Sequence, residues 1–155
     1  MSDQVFTRPA VQAFVGLLRG HSALTRRLSG RLLADHGLTL NDYEVLLHLA
    51  RAPDRRLRRV DLVERLLLTP SGITRLLDGL ERCGYVAKAA CDSDARVTYA
   101  VLTEDGLTKI REASKTHLGD IDAALARFDD EELETLSSLL GRLTEADANE
   151  SCEPD

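Results

Sequence analysis

Residues 69 to 86 read TPSGITRLLDGLERCGYV, and this stretch restricts the possible folds more than any other. Thr69 can accept hydrogen bonds from the amides two or three residues on, and Pro70 at the first helical position sacrifices nothing, because that amide has no intrahelical partner. From there Ile73, Leu76, Leu77 and Leu80 fall at i, i+3, i+4 and i+7, which sets a buried stripe on one side of a helix. Left outward are Ser71, Thr74, Arg75, Asp78 and Arg82, with Gly72 in the first turn. Such a face can both donate and accept hydrogen bonds. It serves either as ordinary solvated surface or as a surface offered to a polyanion.

The flanking segments narrow that choice. Residues 7 to 35 are expected to form a long first helix, with Val11, Phe14, Leu17, Leu18, Leu24, Leu28 and Leu32 at three- and four-residue steps and a bend near Ser29-Gly30. Thr39 followed by Asp42 resembles a capping box for a second helix that buries Val45, Leu46 and Leu49 and stops at Pro53-Asp54. A short third helix, about 58 to 66, buries Leu62, Val63 and Leu66 ahead of the quoted one. Tyr85 to Ala89 and Val97 to Val101 are rich in β-branched and aromatic residues and are divided by the polar CDSDAR, which predicts a β-hairpin. Thr103 then opens a fifth helix, about 104 to 127, with Ile110, Ala113, Leu118, Ile121 and Leu125 as its apolar positions. Asp129 with Glu132 caps a sixth, striped by Leu133, Leu136, Leu140 and Leu143. Residues 148–155 are expected to be a disordered tail.

The chain of 155 residues, 43% of them hydrophobic, suits about one domain. With no Trp, its core has to be made mainly of Leu, Val and Ala. No secretory leader or membrane span is read, and the expected location is the cytoplasm. The net charge of −6 conceals a division: residues 1 to 50 carry +1, residues 51 to 101 carry +3 and residues 102 to 155 carry −10. A polyanion would therefore meet the middle of the chain and be repelled by its end.

A short helix followed across a tight turn by a second is the helix-turn-helix arrangement, in which the second helix enters the major groove. Each outward group then has a use. Arg75 can pair with guanine O6 and N7, Ser71 and Thr74 can bond phosphate or base edges, and Gly72 lets the duplex come close. In the hairpin tip, Arg96 could enter a narrow minor groove, with Asp94 orienting its guanidinium. A local salt bridge is the competing use of that pair.

GLTLNDYEVLLHLA, LVERLLLTPSGITRLLDGLERCGYV and DSDARVTYAVLTEDG resemble the MarR family (multiple antibiotic resistance regulators) of transcription factors, most closely over residues 37 to 106. The Asp94-x-Arg96 wing followed by Leu102-Thr103-Glu104-Asp105-Gly106 carries the resemblance most specifically, and Leu67 departs from it where a small residue is usual in the turn. The resemblance implies a mainly α fold with a small β-hairpin wing. It divides the chain into an N-terminal dimerisation helix (1–36), a winged helix-turn-helix DNA-binding domain (37–102) and C-terminal dimerisation helices (103–147). It further implies a homodimer on palindromic double-stranded DNA, acting as a repressor and released by a small phenolic or carboxylate effector. Ser71, Thr74 and Arg75 on the recognition helix and Arg96 on the wing would be its DNA contacts, with Gly72, Asp78 and Asp94 beside them.

Other readings stay open at this point. Cys83, Cys91 and Cys152 match no disulfide or metal pattern, although Cys83 or Cys91 could sense oxidant. His21, His36, His48 and His117 are scattered, each read as a surface or partly buried residue, and no metal or cofactor is expected. No phosphate loop, nucleophile elbow or HExxH pattern supports an enzyme. A winged helix used only for protein contacts is the remaining class.

Overall fold

The computed structural model describes residues 8–66, 68–91, 93–94 and 96–150, with side chains as far as Leu143. Leu67 in the helix-turn-helix turn, Asp92 and Ala95 in the wing, and Cys152 with most of the expected tail lie outside the described residues. The elements in order are α1 (Pro9–His36), α2 (Leu40–Arg51), a 3-10 turn (Pro53–Arg55), β1 (Arg56–Arg58), α3 (Arg59–Leu66), α4 (Pro70–Arg82), β2 (Val86–Ala90), β3 (Thr98–Leu102), α5 (Glu104–Leu125) and α6 (Asp130–Glu150). The fold is mostly helical with a small antiparallel sheet, as expected. Contacts gather the chain up to Asp120 into one compact unit and the chain from Ile121 into a second.

Local chemistry sets most of the boundaries. Thr39 and Asp42 form the reciprocal cap at the start of α2, Asp42 N donating to Thr39 Oγ1 at 3.2 Å and Thr39 N to Asp42 Oδ2 at 2.8 Å. Asp129 and Glu132 repeat the device before α6. α1 runs without interruption through Gly30 and ends at Gly37, whose φ of 66° is the left-handed conformation that glycine adopts without a Cβ penalty. The expected bend at Ser29-Gly30 does not break the helix. α6 likewise continues to Glu150, past the expected start of the tail.

Three further expectations are corrected. The sheet has three strands in the order β1-β3-β2, because Arg56 to Arg58 pair antiparallel with Val101 to Tyr99. The hairpin strands are each shifted by one residue from the expected spans. On α5, Leu118 is 58% exposed and His117, at 4%, takes the inward position.

The core of the first unit lies where α2, α3, α4 and the sheet converge. Val45, Leu46, Leu49, Leu62 and Ile73 are completely buried there, with Leu57, Leu77, Leu80, Val86, Ala100 and Leu102 around them. Each completely buried aliphatic side chain stabilises the fold by about 1.5–3 kcal/mol. α4 is consequently held by one face, and its other face is left for other uses.

Candidate nucleic-acid interface

The leading turn of α4 is set by Thr69. Its Oγ1 accepts from Gly72 N at 3.1 Å and lies 3.2 Å from Ser71 Oγ, while Thr74 Oγ1 donates to Pro70 O at 2.8 Å. The Thr74 hydrogen is thereby used inside the helix, and its oxygen can still accept. A Cβ added at Gly72 would stand 3.1 Å from Thr69 Oγ1, so the cap itself favours glycine there. Ile73, Leu77 and Leu80 face the core, with Leu76 half-buried. Ser71, Arg75 and Arg82 are exposed, whereas Thr74 and Asp78 are half-buried. Among the described residues, the Arg75 guanidinium has no hydrogen-bond or ion-pair partner.

Asp78 differs from its neighbours in being engaged already. Lys88 Nζ, from β2, stands 2.6 Å from Asp78 Oδ1 and 3.0 Å from Glu81 Oε2. The hydrogen bond from Lys88 holds the Asp78 carboxyl below the usual carboxylate range. Partial desolvation opposes this, and the charges of Lys88, Arg82 and Arg59 add to it. Sequence reasoning placed Asp78 on the outer face but did not find Lys88, ten residues away on a strand.

The far end of α4 fixes the hairpin to it. Gly84 has a φ of 77°; its amide donates to Glu81 O at 2.9 Å, and Tyr85 N donates to Leu80 O at 3.0 Å, the paired bonds of a left-handed helix stop. Thr103 grips the same turn, donating from N to Tyr85 O at 3.1 Å and from Oγ1 to Gly84 O at 2.6 Å. A Cβ on Gly106 would lie 2.1 Å from Tyr85 O and 2.8 Å from Leu102 Cδ1. The Leu-Thr-x-x-Gly segment thus clamps the base of the hairpin to the end of the helix, and Gly106 is required for the clamp to close.

At the hairpin tip, Cys91 N donates to Val97 O and Val97 N to Asp94 O, both at 3.0 Å. The Asp94 carboxylate accepts from the Arg96 backbone amide at 2.9 Å, so it shapes the chain beneath Arg96 instead of orienting the guanidinium as expected. Both residues are exposed, and the Arg96 side chain has no partner among the described residues. Arg56, on β1, stacks over Tyr99 with 4.5 Å to the ring centroid, Arg55 pairs with Glu104, and Arg58 pairs with Asp61. Of the thiols, Cys83 is exposed at the end of α4 and Cys91 is half-buried with Sγ 3.1 Å from Ser93 Oγ.

His117 is buried against Tyr43, ring centroids 4.6 Å apart, and its Nδ1 has no partner among the described residues. Burial lowers its pKa, Asp120 opposes that shift and His36 reinforces it. His36 in turn bonds Thr116 Oγ1, and Tyr43 Oη bonds Ser114 Oγ at 3.1 Å. The four histidines were expected at the surface or partly buried, and His117 breaks that expectation. Its spacing of four from Ala113 and seven from Ile110 was the available signal. No helix among the described residues is long and apolar enough to cross a membrane.

Residues 36–97 match the model of the MarR family. The chain is 33% identical to the HTH-type transcriptional repressor YetL of Bacillus subtilis (strain 168) over 112 residues, 72% of this chain and 67% of that protein. Among solved structures it superposes on Sco3205, a MarR family transcriptional regulator from Streptomyces coelicolor in complex with DNA. The TM-score is 0.82 and the identity 26%, over 87% of this chain and 85% of that one. AbsC, a MarR family transcriptional regulator from the same organism, gives a TM-score of 0.83 at 28% identity, covering 92% and 97%.

Proposed function

The chain belongs to the MarR family of transcriptional regulators, and from that premise we propose that it acts in the cytoplasm as a homodimeric repressor on a palindromic operator, released by a small phenolic or carboxylate effector. The carrying observation is the leading half of α4. Ser71 and Arg75 stand exposed on a helix anchored by its opposite side, and the Arg96 side chain is exposed, with no partner among the described residues, on the hairpin clamped to that helix. Arg75 would read a base edge in the major groove, Ser71 and Thr74 would bond phosphate or base, and Arg96 would enter the adjoining minor groove.

Two exposed apolar faces support a second copy as partner. α1 leaves Phe14, Leu17 and Leu18 largely exposed, and α6 leaves Leu136, Leu139, Leu140 and Leu143 exposed at helical spacing. Contiguous apolar surface of this kind marks an association site. The dimer would present two recognition helices about one turn of DNA apart, so protected half-sites centred about 10 base pairs apart are expected.

The test is a titration of DNA flanking its own gene against a mixed-sequence duplex. Arg75→Ala should weaken operator binding by about 1–3 kcal/mol and leave the mixed-sequence duplex nearly unaffected. Equal loss on both would remove the base-reading role. Absence of salt-sensitive duplex binding by the unmutated protein would favour a protein-docking role instead.

A further inference from the structure

Asp78 stands on the next turn of α4 beyond Thr74 and Arg75, where a carboxylate disfavours an approaching phosphate backbone. It does not stand alone: the Lys88 ammonium bridges it to Glu81, at 2.6 and 3.0 Å. The three side chains retain 41–43% of their exposure, so the bridge is open to water and to competing anions. Exposed ion pairs add little to folding stability, which leaves the position of this one, between the groove-facing helix and the wing, without a structural explanation. Lysine is a mobile point charge on a four-carbon stem, and on β2 beside α4 it would otherwise serve as a phosphate ligand indifferent to sequence.

We propose that Asp78, with Glu81, is a specificity-setting residue that acts through Lys88, holding its ammonium away from phosphate so that sequence-independent affinity stays low. Arg75 and Arg96, which have no ion-pair partner among the described residues, then keep their charge for DNA, and discrimination rests with the residues that meet base edges and grooves. The inference rests on α4 being the helix that enters the groove. It assigns Asp78 a positioning role instead of a direct contact.

The experiment measures fluorescence anisotropy of the full-length protein on a mixed-sequence duplex and on DNA flanking its gene, from 50 to 200 mM salt. Asp78→Asn with Glu81→Gln frees Lys88 for one more phosphate. The log–log salt slope should steepen by about 0.9, so that the affinity gain on the mixed-sequence duplex is about 3.5-fold larger at 50 mM than at 200 mM. Adding Lys88→Gln should return the slope to that of the unmutated protein, and Lys88→Gln alone should leave it unchanged. A slope that stays steep in the triple variant overturns the proposal, because the carboxylates would then act by their own repulsion. Flattening by Lys88→Gln alone overturns it too, since Lys88 would already be on phosphate. So does weakened operator binding at unchanged slope in the double variant, which would make Asp78 a base reader. Melting curves of each variant confirm that folding is retained. Arg75→Ala in the same titration tests the groove assignment separately, because its loss is compared between duplexes and does not depend on the Lys88 slopes.

Discussion

Gly106→Ala is a small change with a large expected effect. The new methyl carbon would sit 2.1 Å from Tyr85 O, 3.0 Å from Tyr85 C and 2.8 Å from Leu102 Cδ1. Two of those atoms are backbone, so no rotamer change removes the overlap, and the carbonyl has to retreat by about 1.3 Å to reach ordinary van der Waals separation. Overpacking of a core costs about 1–3 kcal/mol, and a backbone obstacle belongs at the upper end. Retreat also lengthens the bond from Thr103 N to Tyr85 O, now 3.1 Å, at a further cost of about 1 kcal/mol. Alanine in place of glycine in a helix returns up to about 1 kcal/mol. The net expectation is about 3 kcal/mol, or a fall in Tm of roughly 6–12 °C for a chain of this size. The assay is thermal melting followed by circular dichroism, beside Gly119→Ala as control. Gly119 lies on the same helix with no atom within 4 Å of its added Cβ. That control should be neutral or slightly stabilising. A Gly106→Ala melt equal to that of the unmutated protein would refute the clamp.

Two further outcomes follow from the geometry. Thr69→Ala removes the acceptor for Gly72 N and should destabilise by about 0.5–2 kcal/mol, with a parallel loss of duplex affinity because the leading turn of α4 frays; unchanged melting and binding would show that Pro70 alone sets the turn. His117 is held neutral by burial, so its folded pKa lies below the unfolded value of about 6.5. Its contribution to stability is complete above pH 6.5 and declines as pH falls from there toward the folded value. Urea unfolding at pH 7.5 and 5.5 should show that decline, and His117→Phe should flatten it. An equal decline in that variant would place the titration elsewhere.

The parts of the fold that were legible in the sequence are those fixed by neighbours in the chain. Thr39 with Asp42, Thr69 with Pro70, and Asp129 with Glu132 each mark a helix start, since donor and acceptor are three residues apart. β1 was not legible: three residues hold no periodicity, and Arg56 to Arg58 become a strand only by pairing with Val101 to Tyr99, more than forty residues on. The site divides in the same way. The outer face of α4 could be read from spacing, whereas its electrostatics could not, because Lys88 reaches Asp78 from a neighbouring strand. Asp94 was placed at the wing correctly but assigned the wrong target, since the choice between the Arg96 amide and its guanidinium depends on the backbone of the tip.

The helical stripes make a sharper point about what periodicity encodes. Ile73, Leu77 and Leu80 on α4 and Leu136, Leu140 and Leu143 on α6 look alike as patterns, yet the first set is buried within its unit and the second is at least 39% exposed. The same holds along α1, where Leu32 is buried while Phe14, Leu17 and Leu18 are not. A three- and four-residue repeat states that a face will be removed from water, without stating what removes it. Where the chain itself does so, the repeat predicts core. Where it does not, the repeat stays uncovered, and on a helix whose other positions are as acidic as those of α6, a partner that covered it would have to be apolar at its centre and could not be a polyanion.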